Sequence, residues 1–552
     1  MKKTPLLFTL AVLGCSTPAE YKADADREVY ALIDARREAL FARDAGFNIE
    51  PDEDSLRQRV LDGRVDDLEA LTLTQCLEIA AENSREFQAA KESLYRSALS
   101  LTLAKWQFTS IWSLDGGANS NGDAAGGENS SSVDADLGMR RLLGTGATVI
   151  SNIGAGLFKA VNTGDGWEAV SDVGLSVTQP LLRGAAREVV REPLTQAERN
   201  LVYAVRDYEG FRRDFVLSIV SSYYDILLTT DRLKNERANF ETLSDITRYE
   251  QRQFDAGRKS SQDLDEAEQR RLASESSLLV LEQSLARQID NFKITLGLPV
   301  DLTLTLDPAA LTEIGALAGD DVLGLDRDQV VALGLQRRLD LLNSLDALID
   351  AERRVRIAED ALRAGLDLSG SVNATSNAGE PLTFDNENIT WAFSIGFDLP
   401  IDNLDDRNAY RRSVIDLQVA LRSAEALNDR ITADLADSLR VTRTAKDTYE
   451  ISLLTVEINE RRVRSTAMNL EAGRETDTFS LLRAQEDLLA AQNSATSALL
   501  AFAIARLNLY RDLELLDFTE EGIALDEESL PVPPAEAAPD AEGDPAAEED
   551  QP

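Results

Sequence analysis

Apolar positions along residues 187–296 set the first pattern. They fall at Leu201, Val205, Tyr208, Phe215, Ile219, Tyr223, Ile226, Leu233 and Phe240. Steps of three, four and seven put them on one stripe, the spacing of a coiled-coil seam. The stripe predicts a helix from Arg187 to Asp255, about 69 residues and roughly 100 Å long at 1.5 Å per residue. The stretch Ala256-Gly257-Arg258-Lys259-Ser260-Ser261 interrupts it, and a second helix follows over Gln262–Leu296. A hairpin of that length suits a spacer, a conduit or a coiled-coil scaffold.

The pattern then repeats. Leu71-Thr72-Leu73-Thr74-Gln75 opens a predicted helix to Phe108, and a similar helix runs from Asp326 to Leu362. Gln75 aligns with Gln329 and Gly116 with Gly370, an offset of 254. Arg187 matches Arg407 at 220, Ala256-Gly257-Arg258 matches Ala472-Gly473-Arg474 at 216, and Asn291 matches Asn508 at 217. The order helix, strands, long helix, break, helix therefore occurs twice. The 34-residue fall in offset places about one additional hairpin in the first β region.

In the first half, strands are predicted at Ser110–Ala118 and Val173–Thr178. The extra hairpin would use Asp134–Met139 and Ala147–Gly156. Asn119–Ser132, rich in Gly, Asn, Ser and Asp, reads as an exposed loop. In the second half the strands are Asp367–Ala374 and Ile389–Leu399. Pro180 and Pro400 mark where strand gives way to helix. The extra hairpin is expected to lengthen a loop at the rim, which leaves two strands per half and four per chain; the other placement, within the barrel, would make six per chain. Small membrane barrels need roughly eight strands. Open sheet edges are excluded from lipid, so a membrane role requires several copies, and three would give twelve strands. The other reading is a soluble β cap on a helical bundle.

Composition narrows the function. The 552 residues carry a net charge of -40, which argues against binding nucleic acid, whose phosphates need a basic face. There is no histidine, which removes the commonest acid–base catalyst and metal ligand. No Gly-rich phosphate loop is present. Nothing supports an enzyme, a cofactor or a metal site.

At the N-terminus, Lys2 and Lys3 precede an apolar run from Leu6 to Leu13. That run is too short to span a bilayer and suits a signal peptide. It ends Val12-Leu13-Gly14-Cys15, which resembles the lipobox of bacterial lipoproteins and implies lipidation of Cys15. Cys76 lies at helical spacing with Leu73, Leu77 and Ala80 and reads as a small core residue. No later segment is expected to form a membrane-spanning helix. Residues 16–70 read as a peripheral arm with a helical patch at Ala25–Ala42. The segment 519–552, acidic and rich in Pro and Ala, reads as a disordered tail.

Together these features resemble the TolC-like outer-membrane factor family. The resemblance rests on the two-fold repeat, Leu71-Thr72-Leu73, Gln179-Pro180-Leu181-Leu182-Arg183-Gly184, the paired Gly-Arg breaks and Leu296-Gly297-Leu298-Pro299. It covers about residues 71–518 and implies a mainly α fold with β strands. The repeats would be 71–297 and 326–518. The segment 298–325, with Leu302, Leu304 and Leu306 on alternate positions, would join them at the waist. The resemblance further implies a homotrimer in the outer membrane, sharing one barrel and a periplasmic helical tunnel. Its partners would be a periplasmic adaptor and an inner-membrane pump of RND, ABC or MFS type. Gly257, Arg258, Gly473 and Arg474 would form the periplasmic tips that receive the adaptor. Asp263, Asp265, Glu266 and Asp477 would ring the aperture, although Phe479 and Leu481 stand where further acids are expected. The competing reading is a periplasmic coiled-coil adaptor or scaffold lipoprotein.

Overall fold

A computed structural model describes residues 17–41, 46–51, 54–65, 67–121, 130–160, 167–318, 321–377, 379–471, 478–519, 522–526 and 529–530. Cys15, Gly473, Arg474 and Asp477 lie outside the described residues.

In chain order the elements begin with α1 (Pro18–Phe41), α2 (Leu56–Leu61), β1 (Asp67–Leu71), α3 (Leu73–Asn83) and α4 (Arg85–Trp106). Four strands follow: β2 (Ser110–Asn121), β3 (Ser130–Leu142), β4 (Thr148–Ala160) and β5 (Glu168–Pro180). The first hairpin is α5 (Arg187–Val190), α6 (Glu192–Asp255) and α7 (Ser261–Thr295). Then come β6 (Thr303–Leu306), α8 (Ala310–Glu313), α9 (Arg327–Arg337), α10 (Leu339–Ala361), β7 (Gly365–Thr375) and β8 (Ile389–Asp398). The second hairpin is α11 (Leu404–Glu471) and α12 (Thr478–Asp512), and the described chain closes with β9 (Leu516–Thr519) and β10 (Gly522–Leu525).

The long helices match the predicted ones closely, but the helices that open each half do not run unbroken. Ser84 (ψ 127) and Arg338 (ψ 116) are single extended residues between α3 and α4 and between α9 and α10. Two short helices therefore replace each predicted one.

The chain divides into two units. One comprises 1–50, 88–211 and 339–427; the other comprises 51–87, 212–338 and 428–552. In the first unit, the N-terminal arm is part of the packing rather than peripheral. Val29 and Ile33 of α1 are fully buried. Tyr95 Oη donates to Asp26 at 2.5 Å, and the Phe47 and Tyr208 rings meet edge to face at 5.9 Å. Further along the same unit, α6 and α10 are joined by a polar ladder. Arg206 pairs with Asp346 at 2.6 Å, Arg199 Nε with Asp350 at 3.1 Å, and Tyr203 Oη donates to Asp350 at 2.7 Å. Asp350 is 1% exposed and also accepts from Arg353 at 3.0 Å. A buried carboxylate is tolerated because cations and hydroxyls surround it.

In the second unit, β1 pairs in parallel with β6, and Leu302, Leu304 and Leu306 are buried at the alternate positions the sequence predicts. Tyr223 Oη donates to the Leu71 carbonyl at 3.1 Å. Cys76 is fully buried, and burial pushes its thiol up to about 12.

One further expectation fails here. Residues 516–519 (β9) and 522–525 (β10) pair antiparallel, so the described chain is ordered strand past 519, where the tail was expected to begin. The α12 span Phe479–Asp512 contains a stretch long and apolar enough to cross a membrane by length and composition. In this unit its Ala484, Phe502, Ala503, Leu507 and Tyr510 are buried.

Candidate functional site

Six strands form one sheet in the first unit, in the order β2-β3-β4-β5-β7-β8, and every neighbouring pair is antiparallel. The extra hairpin is therefore not a rim loop. β3 and β4, each 13 residues long, lie between β2 and β5, with β3 paired to β2 and β4 paired to β5. The chain contributes six strands where four were expected. The described ends of the Asn119–Ser132 tract are strand as well, because the ladder runs on to Asn121 and Ser130. The sequence hid this: Gly, Ser, Asn and Asp weaken the strand signal although their backbone groups still pair.

Side chains alternate across the sheet. Leu114, Leu137, Ile153 and Val173 are successive cross-strand partners on one face. That face continues through Val372 to Trp391, Phe393, Ile395 and Phe397. It is bare: Leu114 is 70% exposed, Trp391 78% and Phe397 65%. An apolar surface this continuous needs a cover of lipid or protein. The opposite face carries Asp115 opposite Asp136, with Asp134, Asn152, Asp172 and Asn373 nearby in the ladder. Asn152 Nδ2 donates to Asp172 at 2.8 Å. In strands β2 to β5 the large apolar residues on this face are Ile150 and Phe158, with Ile111, Leu142 and Val170 near the strand ends.

The strand-to-helix transitions fall where the prolines predict. Pro180 closes β5, and Pro400 follows β8 before α11. The turn Gln179–Gly184 is held by side chains. Gln179 Nε2 donates to the Thr145 carbonyl at 2.8 Å, Arg183 pairs with Asp398 at 2.9 Å, and the Gly184 N–H donates to Asp360 at 2.7 Å.

In the second unit, the turn between α6 and α7 contains Gly257 and Arg258. Gly257 has φ 68, its N–H donates to the Phe254 carbonyl at 2.8 Å, and Arg258 N–H donates to Gln253 at 2.9 Å. This is a Schellman turn, which needs the left-handed conformation glycine supplies. Ser260 then caps α7 in a capping box. The Asp263 N–H donates to Ser260 Oγ at 3.3 Å, and Ser260 N–H returns to the Asp263 carboxylate at 3.1 Å. Asp263 is thus engaged in starting the helix. Asp265 and Glu266 are exposed, and Glu266 pairs with Arg270 at 2.9 Å.

Sequence reasoning missed what Phe479 does there. Lys259 Nζ lies 5.4 Å and the Arg270 guanidinium 5.7 Å from its ring centre. Arg270 also pairs with Glu486 at 3.2 Å, and Lys259 with the fully buried Glu250 at 3.4 Å. A ring between two cations, each with its own carboxylate, ties the first turn to α12. The apolar residue read as a gap in an acidic pattern is a clamp.

A family model described as outer membrane efflux protein matches residues 121–297 and 330–513. Among solved structures, the outer-membrane channel OprN is similar with a TM-score of 0.56 at 16% identity, over 84% of this chain and 94% of its own. The Campylobacter jejuni CmeC outer membrane channel gives 0.56 at 14%, over 80% and 85%. The Vibrio cholerae outer membrane protein VceC gives 0.55 at 15%, over 80% and 95%. No curated protein matches by sequence. At these identities the solved structures speak to the fold, which is TolC-like with a two-fold repeat. The family model spans most of the chain, and the protein belongs to the outer membrane efflux protein family.

Proposed function

We propose that three copies of the chain form a passive exit duct across the outer membrane, anchored by lipid on Cys15. A periplasmic adaptor docks at the turns around Gly257, Arg258, Gly473 and Arg474. An inner-membrane pump of RND, ABC or MFS type supplies the energy, and Asp263, Asp265, Glu266 and Asp477 ring the aperture. The observation that carries the reading is the two-faced sheet: one face bare and apolar, the other polar and acidic, in a chain of this family. A lipid-facing wall around an aqueous path has this alternation. A coiled-coil scaffold has no use for Trp391 at 78% exposure.

Arg258 is exposed in the turn and is available to pair with a partner's carboxylate. A photo-cross-linking residue at position 258 in living cells tests the docking assignment. It should capture a periplasmic protein that copurifies with an inner-membrane pump. Capture of neighbouring copies of this chain alone would contradict it.

A further inference from the structure

We propose that three copies of this chain close a single eighteen-stranded barrel, in which β2 of each copy pairs with β8 of the next. The inference rests on the trimeric duct of the preceding section and goes beyond it in strand count, pore width and the identity of the joining strands.

Among the described residues, β2 and β8 are the two ends of the sheet, each paired on one side only. Their other edges carry backbone N–H and C=O groups that hydrocarbon cannot satisfy. All five junctions within the chain are antiparallel. Six strands alternating in direction leave β2 and β8 running opposite ways. A β8 to β2 junction between copies is therefore antiparallel too, so the ring closes without a change of ladder type.

The chemistry of the two edges matches across that junction. β8 carries Trp391, Phe393, Ile395 and Phe397 on the apolar face, and β2 carries Trp112 and Leu114 on the same face. On the polar face, Thr390 and Ser394 would continue into Ser113 and Asp115. Neither face is interrupted. The strands are 10 to 13 residues long, enough to cross the hydrocarbon layer when tilted.

Six strands per copy rather than four change the pore. With strands about 4.8 Å apart and tilted about 40°, eighteen give a backbone diameter of about 36 Å and twelve about 24 Å. The cross-section is roughly twice that of the twelve-stranded alternative.

Cysteine pairs in the full-length protein, in outer-membrane vesicles under mild oxidation, test the arrangement. Leu114→Cys is combined in turn with Trp391→Cys, Phe393→Cys, Ile395→Cys and Phe397→Cys, each single variant serving as control. Cys76 is buried and stays silent. One register should shift the band from one chain to a covalent trimer that neither single variant forms. A second pair, Leu114→Cys with Val173→Cys, lies three strand spacings apart, about 14 Å, too far for a disulfide. A bond within the chain at that pair would show that β3 and β4 leave the wall, and would overturn the eighteen-stranded count. Trimers by native mass with no link in any edge pair would overturn the joining strands while the trimeric reading stands. A covalent ladder ending at two chains would overturn the trimer itself.

Discussion

The backbone N–H of Thr72 donates to Oε1 of Gln75 at 3.0 Å, and Thr72 Oγ1 accepts from Gln75 N–H in return at 3.3 Å. In the second half, Asp326 N–H donates to Gln329 Oε1 at 2.9 Å in the matching capping box. The two boxes stand at the aligned positions from which the repeat was read. Replacing Thr72 or Asp326 with Ala should each lower stability by about 1 kcal/mol. The double variant should lose the sum, because the two caps share no partner. Urea unfolding measures this, and a loss at neither site would show that the caps do not start these helices.

Two glycines in the same turn type should respond differently. Gly257 (φ 68) has open space where a Cβ would go, so Gly257→Ala carries only the left-handed backbone cost of about 1–2 kcal/mol. Gly297 (φ 78) lies against the chain: a Cβ there would sit 1.9 Å from the Asn83 carbonyl oxygen. Gly297→Ala must move backbone, and its loss should exceed that of Gly257→Ala by several kcal/mol. Equal loss of stability in the two variants would contradict the packing of Gly297 on α3.

The Tyr203 phenol is held neutral. Burial first, and then its hydrogen bond to Asp350, push its pKa from 10.0 up to about 12. The folded chain keeps a proton that the unfolded chain releases. The contribution is therefore whole below pH 10 and is lost as pH rises from 10 through about 12. Tyr203→Phe should flatten that part of the alkaline stability profile relative to wild type. An unchanged slope between pH 10 and 12 would remove Tyr203 from the α6–α10 ladder.

Phe479 sits between Lys259 and Arg270. Phe479→Ala should weaken the join between the first turn and α12 by about 1–2 kcal/mol. Amide exchange over residues 255–266 should accelerate several-fold, while Phe479→Tyr should leave it unchanged. Identical exchange in wild type and Phe479→Ala would show that the clamp carries no stability.

What was legible in the sequence had strong periodicity or special backbone chemistry. The α6 stripe, the Gly257 turn, the proline positions and the Leu302, Leu304, Leu306 alternation all follow from spacing or φ, and α11 follows from the repeat. Three features did not. Ser84 and Arg338 break helices without Gly or Pro, so nothing local announces them. The β3 strand reaches beyond the predicted Asp134–Met139 because Ser130, Ser131 and Ser132 carry a ladder that a propensity reading treats as loop. Glu514 is the third. Its N–H donates to Arg511 and Leu515 N–H to Tyr510, the Schellman pattern that Gly297 makes in the first half. Its φ is 59, and its carboxylate pairs with Arg213. A glutamate in the left-handed region is supported by a tertiary ion pair, which no local pattern reveals.

The account depends on a wall that one chain cannot complete. Full-length protein extracted from outer membranes into mild detergent and weighed by native mass spectrometry tests this most directly. Particles of three chains are predicted, and a uniform population of single chains would contradict the shared barrel.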